Sequence, residues 1–262
     1  MNARYDEDQT PLHVASQLEH IHAMHSLIER GANLNAENED KETPLFLVSR
    51  NGNEKATQLL LNRHVDINHQ DWERRTPLHW ASEKGHHRVA KLLLKFHADS
   101  NAKNMYHWTP LHLASRTGER SVAKALLRWG ADVNARNDFG WTPLHMASQK
   151  GHPGVVELLL RNNAEVDIQE AARHETALHL AAYYGHVAVA ELLISHGANL
   201  RKQNKESMTP LSLAIREDHE DVTRLLEAHG RDSARERTTI TSVFIPTDIP
   251  ALSMPMSTSA WL

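Results

Sequence analysis

Thr142-Pro143-Leu144-His145-Met146-Ala147-Ser148-Gln149-Lys150-Gly151-His152 is followed by the apolar run Val155-Val156-Glu157-Leu158-Leu159-Leu160. The opening tetrapeptide of this stretch also begins at Thr10, Thr76 and Thr109, with degenerate copies at Thr43, Thr176 and Thr209. The seven threonines are spaced 33, 33, 33, 33, 34 and 33 residues apart. A fixed period of this size means that one supersecondary unit is stacked repeatedly, because a unit so short cannot bury its own apolar face. Function is then to be sought on the surface of the stack.

Aligned on the threonines, the copies read Thr-Pro-Leu-His-x-Ala-Ser/Ala-x-x-Gly-His, then an apolar run, then Gly-Ala-Asp-Val-Asn as at Gly130 to Asn134. This pattern resembles the ankyrin repeat over roughly residues 5 to 230. The resemblance implies an all-α solenoid of helix-turn-helix units with hairpin tips. Its units fall at about 5–37, 38–70, 71–103, 104–136, 137–170, 171–203 and 204–230, within an array spanning 1–230.

The repeated residues have local physical reasons. Threonine is a good N-cap, and proline at the first helical position loses no intrahelical donor. The glycines at 52, 85, 118, 151 and 185 suit a tight turn between an inner and an outer helix. The outer helix is expected to end at Gly31, His64, His97, Gly130, Asn163, Gly197 and Gly230, each with positive φ. Histidine and asparagine tolerate that conformation less well than glycine, so the second, third and fifth units should be the weaker ones. The end units depart from the pattern: Ser26, His20, His22 and His25 in the first, Asp218 and Glu227 in the last. They read as capping repeats, and so as the ends of the array.

After Gly230 the period stops. Residues 231–262 carry Pro246, Pro250 and Pro255, with nine Ser or Thr from Thr238 onward, and read as a disordered tail. Within it Thr239-Ile240-Thr241-Ser242-Val243-Phe244-Ile245 is uncharged and β-prone, a candidate peptide ligand or pairing strand.

Composition narrows the class. The 262 residues are 40% apolar and 24% charged, and contain no cysteine, which excludes a disulfide framework and favours a reducing compartment, cytoplasmic or nuclear. No apolar run of spanning length exists and the start is polar, so neither membrane insertion nor a signal peptide is expected. A net charge of −4 gives no basic stripe for nucleic acid.

The 20 histidines invite a metal hypothesis. In the repeat that this chain resembles, His13, His79, His112, His145 and His179 would hydrogen-bond between neighbouring units, and His86, His152 and His186 also occupy a family-typical place. Equivalent histidines lie one layer apart, about 10 Å, whereas zinc–nitrogen bonds are about 2 Å. His174-Glu175-Thr176-Ala177-Leu178-His179 has the wrong spacing for a zinc-protease helix. No phosphate-binding loop, nucleophile elbow or dinucleotide fingerprint is present. No catalysis, cofactor or metal is expected.

Recognition remains, and departures from the repeat carry its signal. The residues before the threonines are Gln9, Glu42, Arg75, Trp108, Trp141, Glu175 and Met208; two places earlier stand Glu7, Asp40, Glu73, Tyr106, Phe139, Arg173 and Glu206. Both rows turn aromatic in the fourth and fifth units. On an extended strand Tyr106 and Trp108 would share a face, as would Phe139 and Trp141, giving four clustered rings. With Trp72 these five offer up to about 750–1,250 Å² if fully used, against about 800 Å² for one side of a standard interface. Tyr183 and Tyr184 lie at variable inner-helix positions, and Arg75, Arg116 and Lys150 supply a charged rim. The expectation is a monomeric, non-enzymatic scaffold or adaptor that binds another protein through a concave face. The alternative is an accessory subunit of an enzyme or pathway with no catalysis of its own.

Overall fold

The computed structural model describes residues 6–230; the expected tail at 231–262 lies outside them, as does the Thr239–Ile245 segment. After a 3-10 turn at Asp6–Asp8, the chain alternates two kinds of short helix. The inner helices are α1 (Pro11–Gln17), α3 (Pro44–Asn51), α5 (Pro77–Glu83), α7 (Pro110–Thr117), α9 (Pro143–Gln149), α11 (Ala177–Tyr183) and α13 (Pro210–Arg216). The outer helices are α2 (Ile21–Glu29), α4 (Glu54–Leu61), α6 (His87–Lys95), α8 (Arg120–Arg128), α10 (Pro153–Arg161) and α12 (Val187–Ser195), and residues 220–230 are also helical. Among the described residues there are no strands, and the tips before each threonine are turns.

Helices of 7 to 9 residues are marginal alone, so packing must hold them. Each inner helix lies against the next inner helix, each outer against the next outer, and each against its own partner. One core runs the length of the array. Leu78, Ala81, Val89, Ala90 and Leu93 are fully buried in the middle, as are Leu178, Ala181, Val189 and Leu193 further on.

Two histidine ladders tie the layers. In the first, the residue three after the threonine accepts from the threonine's N–H through Nδ1 and donates through Nε2 to the carbonyl before the next threonine. The bridges are His13 to Glu42 (3.0 Å), His79 to Trp108 (3.0 Å), His112 to Trp141 (3.0 Å), His145 to Glu175 (3.2 Å) and His179 to Met208 (3.1 Å). These are the inter-unit bonds that the repeat pattern implies. Phe46 stands in the same place in the second unit; its ring is buried, and Thr43 Oγ1 is left without a partner. The second ladder runs backwards: Nε2 of His86, His152, His186 and His219 donates to the carbonyls of Arg50, Arg116, Gln149 and Tyr183 at 2.9–3.1 Å. On the outer side, Asn35, Asn68, Asn101 and Asn134 accept from the backbone N–H groups of Asp66, Asp99, Asp132 and Glu165 in the following layer.

The turn glycines meet two demands at once. All five have positive φ, and a side chain of the next layer packs where a Cβ would start, an imidazole of the second ladder at four of them and the Glu119 carboxylate at Gly85: a Cβ on Gly151 (φ +68) would lie 2.6 Å from His186 Cε1. Asp218 (φ 60) keeps the same backbone in the last unit. At the outer-helix ends, Gly31, His97, Gly130, Asn163 and Gly197 have positive φ as expected. His64 follows the end of its helix without positive φ, and Gly230 is helical without positive φ, so the expected positive φ at these two places and the expected stop at Gly230 are corrected. At 230 the helix simply continues to the edge of the described residues.

The end faces differ. Ser26 is exposed on the first unit, but Val14, Ala23 and Leu27 around it line an apolar hollow of about 580 Å³. At the other end Thr223, Arg224 and Glu227 give a polar surface beside Ile215.

Gly130 also has positive φ but open space around its Cβ position, so Gly130→Ala should cost about 1–2 kcal/mol from backbone strain alone. Gly151→Ala, which meets the His186 ring as well, should cost clearly more in urea unfolding. Acid should weaken the same layer contacts. Burial pushes the His79, His112 and His145 imidazoles down to about 4, and His179 down as well. In the unfolded chain these groups take protons near pH 6.5, so their contribution to stability is full above that pH and falls as the pH drops toward 4. Burial raises the Glu42 and Glu175 carboxyls, which act in the opposite sense and offset part of the slope. The unfolding free energy should therefore decrease from pH 6.5 to 5, and at pH 5.5 NMR should find His79, His112 and His145 neutral with the proton on Nε2.

Candidate partner-binding surface

The tips are held by one polar side chain each. Asn104 Oδ1 accepts from the N–H groups of Tyr106 (3.0 Å) and Trp108 (2.9 Å), while Asn104 N–H donates to the Trp108 carbonyl. Asn137 does the same for Phe139 and Trp141, Asn204 for Glu206 and Met208, and Asp71 for Glu73 and Arg75. The unit with 34-residue spacing uses Glu170, whose longer carboxylate accepts from Ala172, Arg173 and Glu175 and so spans the extra residue. Two places before each threonine the backbone has positive φ: Asp8, Lys41, Arg74, His107, Gly140, His174 and Ser207. Only one of the seven is glycine.

Successive tips are joined through the backbone. Glu39 N–H donates to the Glu7 carbonyl, Trp72 to Asp40, Met105 to Glu73, Asp138 to Tyr106, Ala171 to Phe139 and Lys205 to Arg173. Side chains on the tips are therefore carried on a continuous hydrogen-bonded row.

This geometry corrects the extended-strand expectation. His107 and Gly140, with positive φ, separate Tyr106 from Trp108 and Phe139 from Trp141. The convergence that does occur is between layers. Tyr106, Trp108 and Phe139 line one cavity of about 470 Å³, floored by Leu113 of α7 and rimmed by Arg116, Glu83, Arg75 and Glu73. Tyr106 and Phe139 are about half exposed, at 49% and 52%. Trp141 is outside that lining, tilted against His145 with ring centres 6.0 Å apart, as Trp108 is against His112. Trp72 is exposed on its tip, also outside the cavity.

The remaining candidates divide into held and free. Arg75 is paired with Asp71 (3.0 Å) and Glu73 (2.9 Å), and Arg116 with Glu83 across the layer boundary while its guanidinium lies 5.3 Å from the Trp108 ring. Tyr183 and Tyr184 meet edge to face, Arg216 lies over Tyr183, and the Tyr184 hydroxyl accepts from Gln149. Lys150 is exposed at the C-terminal end of α9.

A family model of ankyrin repeats matches residues 1–71, 48–137, 101–170 and 144–236. The chain belongs to the ankyrin-repeat family. No curated protein matches it significantly. Ankyrin repeats are in general protein–protein interaction modules and are typically non-catalytic. Among the described residues no helix of this ankyrin array is long and apolar enough to cross a membrane, and no cluster of three or more His, Asp or Glu is placed to hold a metal ion.

One member of the array's surface escaped the sequence reading. Trp80 of α5 stands where the other repeats place Val14, Leu47, Leu113, Met146, Leu180 and Leu213. Arg75 stacks over its ring at 4.2 Å, with Arg50 at 5.4 Å and the Lys84 ammonium at 5.9 Å. An oversized ring in an aliphatic column, with Arg75 five residues before it and Lys84 four after, was the available signal.

Because Asn137 holds two tip N–H groups, Asn137→Ala should destabilise the array by about 1–3 kcal/mol, the cost of leaving such groups unpaired. Urea unfolding measures that loss, and the intrinsic fluorescence of the folded variant should report a loosened Trp141.

Proposed function

We propose that this ankyrin array is a non-catalytic scaffold or adaptor that binds another protein across the tips and inner helices of its third to sixth repeats. The array would comprise residues 1–230, with 231–262 as an appended segment, and would act as a monomer. The reading is carried by one observation: rings from two successive tips and an inner-helix leucine enclose a cavity rimmed by arginine and glutamate, where the repeat pattern requires none of those rings. An apolar centre of aromatic residues with a polar, arginine-bearing rim is the composition favoured at protein interfaces. Trp72, Trp141, Tyr183, Tyr184 and Lys150 extend the same surface as its periphery, with Arg75 and Arg116 bracing the rings. The absence of cysteine from all 262 residues fits a reducing compartment, cytosol or nucleus.

The test is affinity capture from native extract with mass spectrometry, comparing the wild type with Tyr106→Ser/Phe139→Ser and with Trp129→Ser. Trp129 is a partly exposed ring at the end of α8, on the outer side of the array, and serves as the control. A specific prey should fall at least about tenfold with the double variant, as expected for loss of two interface rings, and persist with the control. Equal retention by all three, with equal melting temperatures, would remove the cavity from the binding site.

A further inference from the structure

We infer that the segment bound by this face is an acidic, linear stretch of polypeptide, anchored by one large apolar side chain in the Tyr106–Trp108–Phe139 cavity. The inference rests on the docking site proposed above and concerns what it selects. The carboxylates of the third to fifth tips and their inner helices are already engaged: Asp71 and Glu73 by Arg75, Glu83 by Arg116, and Asp138 by His107. Those pairings use up Arg75 and Arg116 and leave the exposed Arg74 of the third tip outside them. Among the described residues Lys84 and Lys150, both exposed, have no carboxylate partner, and the Lys84 ammonium lies 5.9 Å from the Trp80 ring. They occupy equivalent positions at the ends of α5 and α9, one layer to either side of α7, whose Leu113 and Arg116 line the cavity.

Across these three tips and inner helices five cations, Arg74, Arg75, Lys84, Arg116 and Lys150, stand against four carboxylates, so with neutral histidines the face carries +1, although the chain as a whole carries −4. With layers about 10 Å apart the two ammonium groups flank the cavity at a separation of about 20 Å. An extended peptide advances about 3.3 Å per residue, so an anchor in the cavity puts acidic groups about three residues to either side within reach of them. Lys84, Lys150 and Arg74 are too few cations for a phosphate backbone, whose binding requires many counterions to be released, so the complementary ligand is a polypeptide. Pairs at such an exposed rim act mainly on selectivity and encounter, and weaken with salt.

The experiment selects a random dodecapeptide display library on the full-length chain at low ionic strength. The best peptide, fluorescein-labelled, is then titrated against wild type, Lys84→Glu/Lys150→Glu and Tyr106→Ser/Phe139→Ser, each checked by thermal melting. Enriched peptides should pair an aromatic residue or leucine with flanking Asp or Glu. The lysine reversal should weaken binding about tenfold at low salt and much less at high salt, and the ring variant should abolish it. Peptides that need the rings but are neutral or basic, or that ignore the lysine reversal, would overturn the inference and leave the docking site standing. Peptides insensitive to the ring variant would overturn both. A library that yields no binder would show that the face does not take a linear segment, and would equally overturn the inference.

Discussion

The hydrogen bond from a buried imidazole to the carbonyl before the next threonine is the interaction on which the array's geometry depends. It joins three things that would otherwise vary independently: the cap of one inner helix, the end of the following tip, and the distance between layers. The Nδ1 side holds the threonine N–H of its own unit, and the Nε2 side reaches a different unit at 3.0–3.2 Å. Burial keeps the ring neutral, which the arrangement requires, since a protonated Nδ1 would face the N–H it now accepts from. The second unit shows what is lost without it: Phe46 fills the space, yet the Thr43 hydroxyl has no partner. Packing survives there and polar satisfaction does not.

The same bond sets the stage for recognition. It fixes the carbonyls of Trp108 and Trp141, so the backbone bearing these two side chains is held from both ends, by an imidazole behind and by Asn104 or Asn137 within the tip. The tip-to-tip backbone bonds then bring Phe139 alongside Tyr106. Rings positioned this way lose little freedom on binding, which is where a rigid platform gains affinity over a flexible loop. Arginine completes the arrangement by stacking: Arg116 on Trp108, and Arg75 on Trp80 while paired with Asp71.

Conformational demand and chemical demand separate cleanly along the chain. Turn glycines combine positive φ with close contact from a side chain of the next layer, an imidazole at four of the five and Glu119 at Gly85, and glycine is the residue that meets both without strain. The tips also require positive φ, which lysine, arginine, histidine and serine adopt there at a modest conformational cost. That freedom is what lets tip side chains differ between units while the backbone row stays regular.

The sequence by itself determined the architecture, because the rules it encodes are local and recur at a fixed interval. Threonine before proline, glycine at the turn and histidine three places after threonine each specify a short-range geometry, and seven registers of the same geometry leave one way to stack. Even the 34-residue spacing was legible as an insertion, though not that Glu170 would span it. What only the tertiary structure decided was which of several equivalent residues act together. Trp108 and Trp141 are the same position in successive repeats, yet only Trp108 lines the cavity, because the next tip brings Phe139 to it, whereas the tip after Trp141 carries Arg173 and an extra residue. Arg75, Arg116 and Lys150 read alike as rim cations; pairing with Asp71, Glu73 and Glu83 occupies the arginines and leaves Lys150. A residue's identity fixes what it can bind. Which neighbour reaches it first depends on distances between layers, and those exist only in the folded stack.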